Sequence, residues 1–318
     1  MRKDTGFRLT DWEKGEALAN RPDSFYSSVR SERGLSAENW DSSFSASIPA
    51  VTPELTYVYD GTFEGWLCCI CESYESKEIP GRVLAEPGND IITEESLFNT
   101  KRISTSRENA YRVRNGIAKR IGSGFLHLLE RSFCTCLPDK EETMLLFTRK
   151  GFRYGMRILN LRQDPVVCSI HKGLRELGRE IHKWLGFVRF SDMQGILVAV
   201  IGAKNNVVPF IAPHFVDRFR NEHFMIFDEN HNMALVYRPG QCAVIPMERF
   251  IMGDPGEEEK LYRELWNNYY KAIEIKPRHN ETCRRTLMPK RYWDYLTEMA
   301  AEKETGKLIS EAVVVTVK

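Results

Sequence analysis

The spacing of apolar positions divides the chain into a mainly helical segment and a later segment of short strands. Between residues 106 and 185, apolar side chains recur every three or four positions, which is the period of a helix with one buried face. The first of these stripes consists of Ala110, Val113, Ile117 and Ile121. We therefore predict consecutive amphipathic helices across this segment.

A shorter strand and a helix precede that segment. The run TYVYD at 56–60 has the composition of a strand, and Gly61 follows it as a turn residue. Thr62 suits the N-cap of the next helix, because its hydroxyl can accept a hydrogen bond from a free backbone N–H. Apolar residues then recur at helical spacing, and we expect this helix to end before Pro80.

After residue 185 the period changes from that of helices to that of strands. Five short runs are rich in β-branched and aromatic residues, namely GFVRFSD, GILVAVIG, HFMIFD, MALVY and QCAVIP. We predict tight turns at Gly195 and at 228–232. A helix within 206–221 should begin its regular part near Pro213, since proline is tolerated in a first turn. Further helices are predicted at 256–272 and 288–299.

The separation of helices and strands into blocks predicts the fold class. It is α+β, with a mostly antiparallel sheet, a largely helical N-terminal half and C-terminal helices. Residues 1–55 are polar and rich in serine, which predicts a partly ordered extension. We predict one domain over residues 56–300 and a tail or linker at 301–318.

The composition excludes some classes of protein and leaves others open. The chain has 318 residues with 45 basic and 44 acidic side chains, so that any affinity for a polyanion must come from local clusters. No apolar run approaches the roughly 20 residues of a membrane span, and the first residues lack the apolar core of a secretory signal. A membrane-spanning or secreted protein is therefore not expected.

The eight cysteines indicate a reducing compartment rather than a metal site. Cys68, Cys69 and Cys71 lie in an apolar helical stretch, where small buried thiols are common. Cys134 and Cys136 have no second pair at a spacing suited to a metal. We therefore predict reduced thiols, no metal, no cofactor and a cytoplasmic location.

One candidate site for chemistry lies on the helix predicted before HFMIFD. His214 and Arg218 are four residues apart and share a face, which places a titrating imidazole beside a permanent cation that binds phosphate or carboxylate. His182 or Asp228 would assist them as an acid or base. In the alternative interpretation, Arg218 pairs with an acidic neighbour such as Asp192 or Asp228, and His214 caps the sheet.

Other polar positions give no catalytic signature. The face opposite His214 carries Ile211, Phe215 and Phe219, which should pack on the sheet. Glu180 and Arg189 lie with His182 around the end of a long helix, and we expect structural roles for them. The sequence has no H-E-x-x-H, G-x-S-x-G, P-loop or G-x-G-x-x-G motif.

Two stretches are locally basic and are candidates for nucleic-acid binding. Residues 101–120 carry seven basic side chains against one acidic, and residues 278–291 carry five against one. Cations beside aromatic rings suit a nucleic-acid backbone with unstacked bases. The candidate contacts are Arg107, Arg112, Arg114, Lys119, Arg120, Arg284, Arg285, Lys290, Arg291, Tyr292 and Trp293. The alternative is two solvated helix faces.

Several long segments resemble a bacterial family known as probable DNA metabolism or DNA repair proteins. The similarity extends roughly from Thr56 to Glu298. Its segments are YDGTFEGWLCCICESYE at 59–75, GFVRF at 186–190, PHFVDRFRNEHFMIFD at 213–228, LYRELWNNYYKAIEIKPRHN at 261–280 and MPKRYWDYL at 288–296.

The resemblance implies a DNA-repair context but no reaction. Members of that family tend to be encoded beside a radical-SAM protein similar to spore photoproduct lyase, and some carry a uracil-DNA glycosylase domain after this region. The present sequence has no C-x-x-x-C-x-x-C cluster motif, so that radical chemistry would belong to the partner.

Three hypotheses about function follow. The first is a DNA-binding accessory protein that acts with a radical-SAM or glycosylase partner, and it uses the two basic stretches. The second is an enzyme acting on nucleic acid or nucleotide, with His214 as acid–base and Arg218 as phosphate clamp. The third is a docking protein without DNA contact, which would show an exposed aromatic patch around Trp266, Tyr269 and Tyr270.

Overall fold

The structure is a computed structural model, and it describes residues 49–86, 99–253 and 255–299. The chain divides into two units within one long helix, between Gly178 and Arg179. The predicted extension at 1–55 and tail at 301–318 lie almost entirely outside the described residues, and the domain boundaries stay predictions. No helix in the described part is long and apolar enough to cross a bilayer.

The first unit packs helices on a small parallel sheet. Its strands have the order β2-β1-β3, and both pairings are parallel. The elements are β1 (Val51–Tyr59), α1 (Phe63–Glu75), β2 (Ile79–Ala85), β3 (Thr100–Arg102), α2 (Arg107–Arg120), α3 (Ser123–Phe133), α4 (Lys140–Tyr154), a 3₁₀ helix (Gly155–Asn160) and the start of α5 (Pro165–Phe187). The consecutive helices predicted from the apolar spacing are therefore confirmed.

Local hydrogen bonds explain where the first two helices begin. Thr62 Oγ1 accepts a hydrogen bond from the N–H of Gly65 at 3.0 Å, as predicted for an N-cap. The Ser106 side chain accepts in the same way from the N–H of Asn109. Trp66 on α1 and Val113 on α2 are fully buried in one core, because the apolar stripes of the two helices face each other.

The second unit is built on a five-stranded sheet in which three of the four pairings are antiparallel. The strand order is β4-β5-β6-β7-β8, and only β5 and β6 are parallel. Its elements after α5 are β4 (Ser191–Asp192), β5 (Ile196–Ile201), α6 (Val208–Arg218), β6 (His223–Asp228), β7 (Met233–Arg238), β8 (Gln241–Pro246), α7 (Glu257–Ala272), a 3₁₀ helix (Lys276–Arg278), α8 (Glu281–Leu287) and a second 3₁₀ helix (Lys290–Tyr295). The α+β class is confirmed, and the parallel sheet of the first unit is an addition to it.

Helix α6 connects the two parallel strands and packs aromatic rings on the sheet. Phe215 is buried, and its ring meets that of Phe190 at a centroid distance of 5.5 Å. Ile211 is buried on the same face, which confirms the predicted apolar side. The predicted start near Pro213 was wrong. The helix already begins at Val208, because Pro209 occupies its first turn without losing a hydrogen bond.

Two other predicted boundaries differ from the structure. Helix α5 continues through Gly186 to Phe187, so that the strand predicted from GFVRFSD is reduced to Ser191–Asp192. The helix predicted at 288–299 begins as a 3₁₀ helix over Lys290–Tyr295. This second difference decides which side chains of that segment share a face.

A substitution at Gly81 tests whether the backbones of β1 and β2 approach closely at this position. A Cβ atom at this position would lie 2.5 Å from the carbonyl oxygen of Pro53, where the register between the strands shifts. We expect Gly81→Ala to lower the free energy of unfolding by about 1–3 kcal/mol, since backbone cannot move aside as a side chain can. Urea denaturation measures this change.

Gly116 on α2 is the matched control, because a Cβ there would meet nothing within 4 Å. Gly116→Ala should raise the free energy of unfolding by about 0.5–1 kcal/mol through helix propensity. Equal effects of the two substitutions would contradict the close approach of the strands.

Candidate functional site

The predicted catalytic pair is exposed and stands apart from the carboxylates assigned to it. His214 and Arg218 are both solvent-exposed on α6. The Arg218 guanidinium lies 5.6 Å from the ring centroid of Phe219. Neither side chain makes an ion pair with any acidic residue that the structure describes. The alternative in which Arg218 pairs with Asp192 or Asp228 is therefore wrong.

Arg218 and Asp228 lie near opposite ends of strand β6. Since β5 and β6 are parallel, α6 must return the chain to the starting edge, so that Arg218 lies near His223 and Asp228 lies at the end of β6. A strand of six residues separates the two edges by roughly 17 Å at about 3.3 Å per residue. His182, the other proposed assistant, is exposed on α5. The convergence that the enzymatic hypothesis requires is not found.

The basic stretch 101–120 is largely neutralised by neighbouring carboxylates. Its ion pairs are Lys101 with Glu72 and Glu78, Arg102 with Glu86, Arg112 with Glu75 and Arg114 with Glu130. Arg107 and Lys119 are exposed and have no ion pair among the described residues, and Arg120 is exposed in the last turn of α2. This stretch therefore does not form a continuous electropositive surface.

The second basic stretch is also mostly paired. Glu281 binds both Arg284 and Arg285 within α8, at 3.0 Å and 2.8 Å. Arg291 pairs with Glu180 at 3.1 Å. Only Lys290 among the four predicted cations has no ion pair in the described part of the chain.

The 3₁₀ geometry separates the two aromatic residues that were predicted to stack on bases. In a 3₁₀ helix, residues three apart lie directly above one another. Tyr292 and Tyr295 therefore share the face that packs on Trp184, at centroid distances of 4.9 Å and 5.5 Å. Tyr292 is buried, so its predicted role as a stacking platform does not fit the structure. Trp293 lies on another face with Lys290 and remains half-exposed.

A buried carboxylate holds together three parts of the second unit. The side chain of Glu180 accepts hydrogen bonds from the N–H groups of Lys204 and Asn205, at 3.0 Å and 2.9 Å, and from the Asn205 amide. Arg291 supplies the opposite charge. Glu180 thus joins α5, the loop after β5 and the last 3₁₀ helix, which confirms the structural role expected for it.

A second buried carboxylate closes the turn after β6. Asp228 is fully buried and accepts from the N–H of Asn230 at 3.2 Å, while its other oxygen bonds Nδ1 of His231 at 2.8 Å.

The neighbouring Glu229 accepts a hydrogen bond from the hydroxyl of Tyr295. Burial, followed by the hydrogen bond to Glu229 and the charge of that residue, raises the pKa of Tyr295.

A third carboxylate fixes helix α7 to the end of α5. Arg189 donates to both oxygens of Glu298, at 3.2 Å and 2.7 Å, in a bidentate pair. Nε1 of Trp266 donates to the same carboxylate at 2.9 Å, and the Arg189 guanidinium lies 5.5 Å from the Trp266 ring centroid. Burial tends to raise the pKa of Glu298, but these hydrogen bonds outweigh it and hold the pKa below its usual value.

The N-terminal turns of α7 are attached on the same side by polar contacts. Glu259 accepts from the N–H of Asp192 at 3.1 Å and pairs with Arg263, which also donates to Ser191 Oγ at 2.6 Å. These contacts and that of Trp266 lie within one third of the helix circumference. Apart from the half-buried Asn267 and Tyr270, the rest of α7 is exposed to solvent.

The solvent side of α7 is apolar over a broad arc. The apolar residues on this side recur every three or four positions, a pattern that normally marks the face of a helix that packs against a core. Leu261, Tyr262, Leu265 and Tyr269 are between 53% and 60% exposed, and Ile273 just after the helix is equally open. We call Leu261, Tyr262, Leu265, Tyr269 and Ile273 the α7 face. Of the exposed aromatic patch predicted around Trp266, Tyr269 and Tyr270, only Tyr269 belongs to this face, because Trp266 lies on the inner side and Tyr270 is half-buried.

Comparison with known families gives one match. Residues 138–298 match DUF4130, a domain of unknown function. The chain belongs to this family. No curated protein and no solved structure shows significant similarity. The DUF4130 region contains Glu180, the Arg189–Glu298 pair and the whole α7 face, whereas the parallel sheet and α1 to α3 precede it.

Sequence reasoning did not find Lys183, Asn205, His231 or Tyr295. Tyr295 lies three residues after Tyr292, a spacing that would have identified a shared face if a 3₁₀ helix had been expected. Asp228 and His231 span a four-residue turn between two strands, a common place for an aspartate that accepts backbone hydrogen bonds. Lys183 and Asn205 carry no such local signal.

Replacing Glu298 tests the attachment of α7. Because the folded state holds this carboxyl group charged, its contribution to stability is present above the pKa of an unfolded glutamate, about 4.3, and is lost as the pH falls through the lower folded value. We expect Glu298→Gln to cost about 3 kcal/mol at pH 7, since it leaves Arg189 unpaired.

The cost should shrink in acid as the wild-type carboxyl group itself becomes protonated. Urea denaturation of both proteins at pH 7 and pH 3 measures the difference. A cost that is the same at both pH values would show that the charge of Glu298 is not what holds the helix.

Proposed function

We propose that this DUF4130 protein is an accessory component of a DNA repair or modification system that works by docking a partner protein on the α7 face. The observation that carries the proposal is the exposed apolar arc on a helix whose other side is fixed by polar contacts. A helix attached in this way presents its apolar side in a defined orientation. The DNA-repair context rests on the sequence resemblance.

The size of the α7 face suits recognition by a partner. Fully burying one large apolar side chain contributes about 1.5–3 kcal/mol. Because the five side chains are already close to half-covered, burying the remainder contributes roughly half of that for each, and the contacts of the partner's groove add to it. Tyrosine and tryptophan are also enriched among the residues that dominate interfaces. Laying an apolar helix face into a hydrophobic groove is a recurring mode of recognition.

The favoured occupant is a uracil-DNA glycosylase domain. The described chain passes through Glu298 and Met299 directly beside Trp266, because Glu298 accepts the Trp266 hydrogen bond. In the proteins that this sequence resembles, a glycosylase domain can follow this same region. A domain joined after this region is tethered near α7, and this raises its local concentration at the α7 face on the outer side of the helix.

Substitutions on the α7 face test the docking proposal. We expect the double variant Leu265→Ser, Tyr269→Ser to weaken binding to a purified uracil-DNA glycosylase at least tenfold, because it removes two central apolar contacts. Isothermal titration in high salt and with nuclease measures the affinity. The stability of the free protein should change little, since both side chains are exposed.

Lys271→Ser is the matched control, because Lys271 is exposed on the same helix but lies neither three nor four residues from Leu265 or Tyr269. If the glycosylase does not bind and a radical-SAM protein binds with the same dependence on Leu265 and Tyr269, the surface is correct and the occupant is wrong. Unchanged binding by the double variant would refute the use of this face.

A second candidate function is contact with single-stranded DNA, and one observation favours it. Trp293 is half-exposed, with Lys290 at 5.9 Å and Arg284 at 5.0 Å from its ring centroid. The indole N–H donates to the carbonyl of Met288 at 2.9 Å, which fixes the ring orientation. A fixed aromatic ring beside cations is a sequence-tolerant platform for an unstacked base.

Trp293 variants test this second function. We expect Trp293→Ala to weaken binding of a single-stranded oligonucleotide about tenfold or more, since stacking contributes about 1–3 kcal/mol per base. Trp293→Phe should retain most of the affinity because it keeps a ring. Fluorescence anisotropy at several salt concentrations measures both, and Lys290→Gln should reduce the salt slope. Equal affinities of the Ala and Phe variants would argue against stacking.

A further inference from the structure

Basic side chains from two elements meet around the ring of Tyr292. The ammonium nitrogen of Lys183 lies 5.5 Å from the ring centroid, and the guanidinium carbon of Arg291 lies 4.6 Å from it. Arg179 stands one helical turn before Lys183 on α5, on the same face of that helix. Arg179 and Lys183 come from α5, and Arg291 comes from the last 3₁₀ helix.

Positive charge exceeds negative charge at this place. Glu180 pairs with Arg291, but its oxygens also accept from two backbone N–H groups and the Asn205 amide. Among the described residues, neither Arg179 nor Lys183 has an acidic partner within ion-pair distance. Burial, then repulsion from Arg291 and a smaller contribution from Arg179, lowers the pKa of Lys183 despite the attraction of Glu180.

The position in the fold agrees with ligand binding. Glu180 is bonded to the loop that follows β5, so that these cations lie at the edge where the parallel strands β5 and β6 end. Ligands of open sheets bind outside the carboxyl ends of parallel strands. Arginine offers a fork of donors to phosphate oxygens, and lysine adds a compact charge.

We infer that Arg179, Lys183 and Arg291 form a binding site for a phosphate group. Two side chains of this set lie on α5, outside both basic stretches of the sequence. The same chemistry fits the phosphate of a nucleotide and a phosphate of a nucleic-acid backbone. The inference is independent of the α7 face, which shares no residue with the site.

The test uses the full chain and three probes. These are inorganic phosphate, a nucleoside 5′-monophosphate and a single-stranded oligonucleotide without a terminal phosphate. We expect Lys183→Gln and Arg179→Gln each to raise the Kd of the bound probe at least tenfold by isothermal titration. Arg179 is exposed, so that its loss leaves the fold intact. Lys271→Gln on α7 is the control, because it removes the same charge from another exposed position.

The outcomes separate the two sources of phosphate and can overturn the inference. Binding of phosphate and the monophosphate that depends on Lys183 supports a small ligand, whereas dependence seen only with the oligonucleotide supports a backbone contact. A bound phosphate should also raise the pKa of Lys183, which NMR titration of its side chain would detect. No binding of any probe, or an equal loss in Lys271→Gln, would overturn the site.

Discussion

The charged carboxylate of Glu298 is the constraint on which the presented surface of this protein depends. It lies nearly buried, and a buried charge is tolerated only when it is paired and hydrogen-bonded. Arg189 and Trp266 meet that requirement together, and in doing so they bring the end of α5 and the middle of α7 to one point. The apolar residues of α7 face outward because its polar contacts occupy the inner side.

The same principle explains why a protein with so many basic residues shows little continuous positive surface. Glu281 pairs with Arg284 and Arg285, and carboxylates from α1 and α3 pair with Arg112 and Arg114 of α2. Cations neutralised in this way contribute little attraction for a polyanion. What remains is a few local groups, of which the cluster around Tyr292 and the Lys290–Trp293 pair are the best defined.

Much of the fold could be predicted from the sequence, because its elements follow from local rules. The Thr62 N-cap, the helices of 106–185 and the strands from GILVAVIG to QCAVIP all obey the periods and caps of isolated elements. The short β3 strand pairs with β1 across a long stretch of chain, and no local pattern predicts such a pairing. The parallel sheet of the first unit was missed for that reason.

The candidate sites were harder to predict, because they depend on which residues meet rather than on which are present. An α-helical period at 288–299 puts neighbouring aromatic residues on one broad face, whereas the 3₁₀ period buries Tyr292 and leaves Trp293 outside. His214 and Asp228 are only 14 residues apart in the sequence. The crossover between two parallel strands nevertheless places them at opposite ends of those strands. Pair distances of this kind are fixed by topology.

The three neighbouring thiols of α1 have a practical consequence for work on this protein. Cys68, Cys69 and Cys71 are buried, and burial raises the pKa of Cys71 to about 12. Since only the thiolate reacts with alkylating reagents, we expect these three thiols not to react with a maleimide dye at neutral pH. Cys136, Cys168 and Cys283 are exposed, so that after replacement of the first two a fluorophore on Cys283 would stand close in sequence to α7 without disturbing the core.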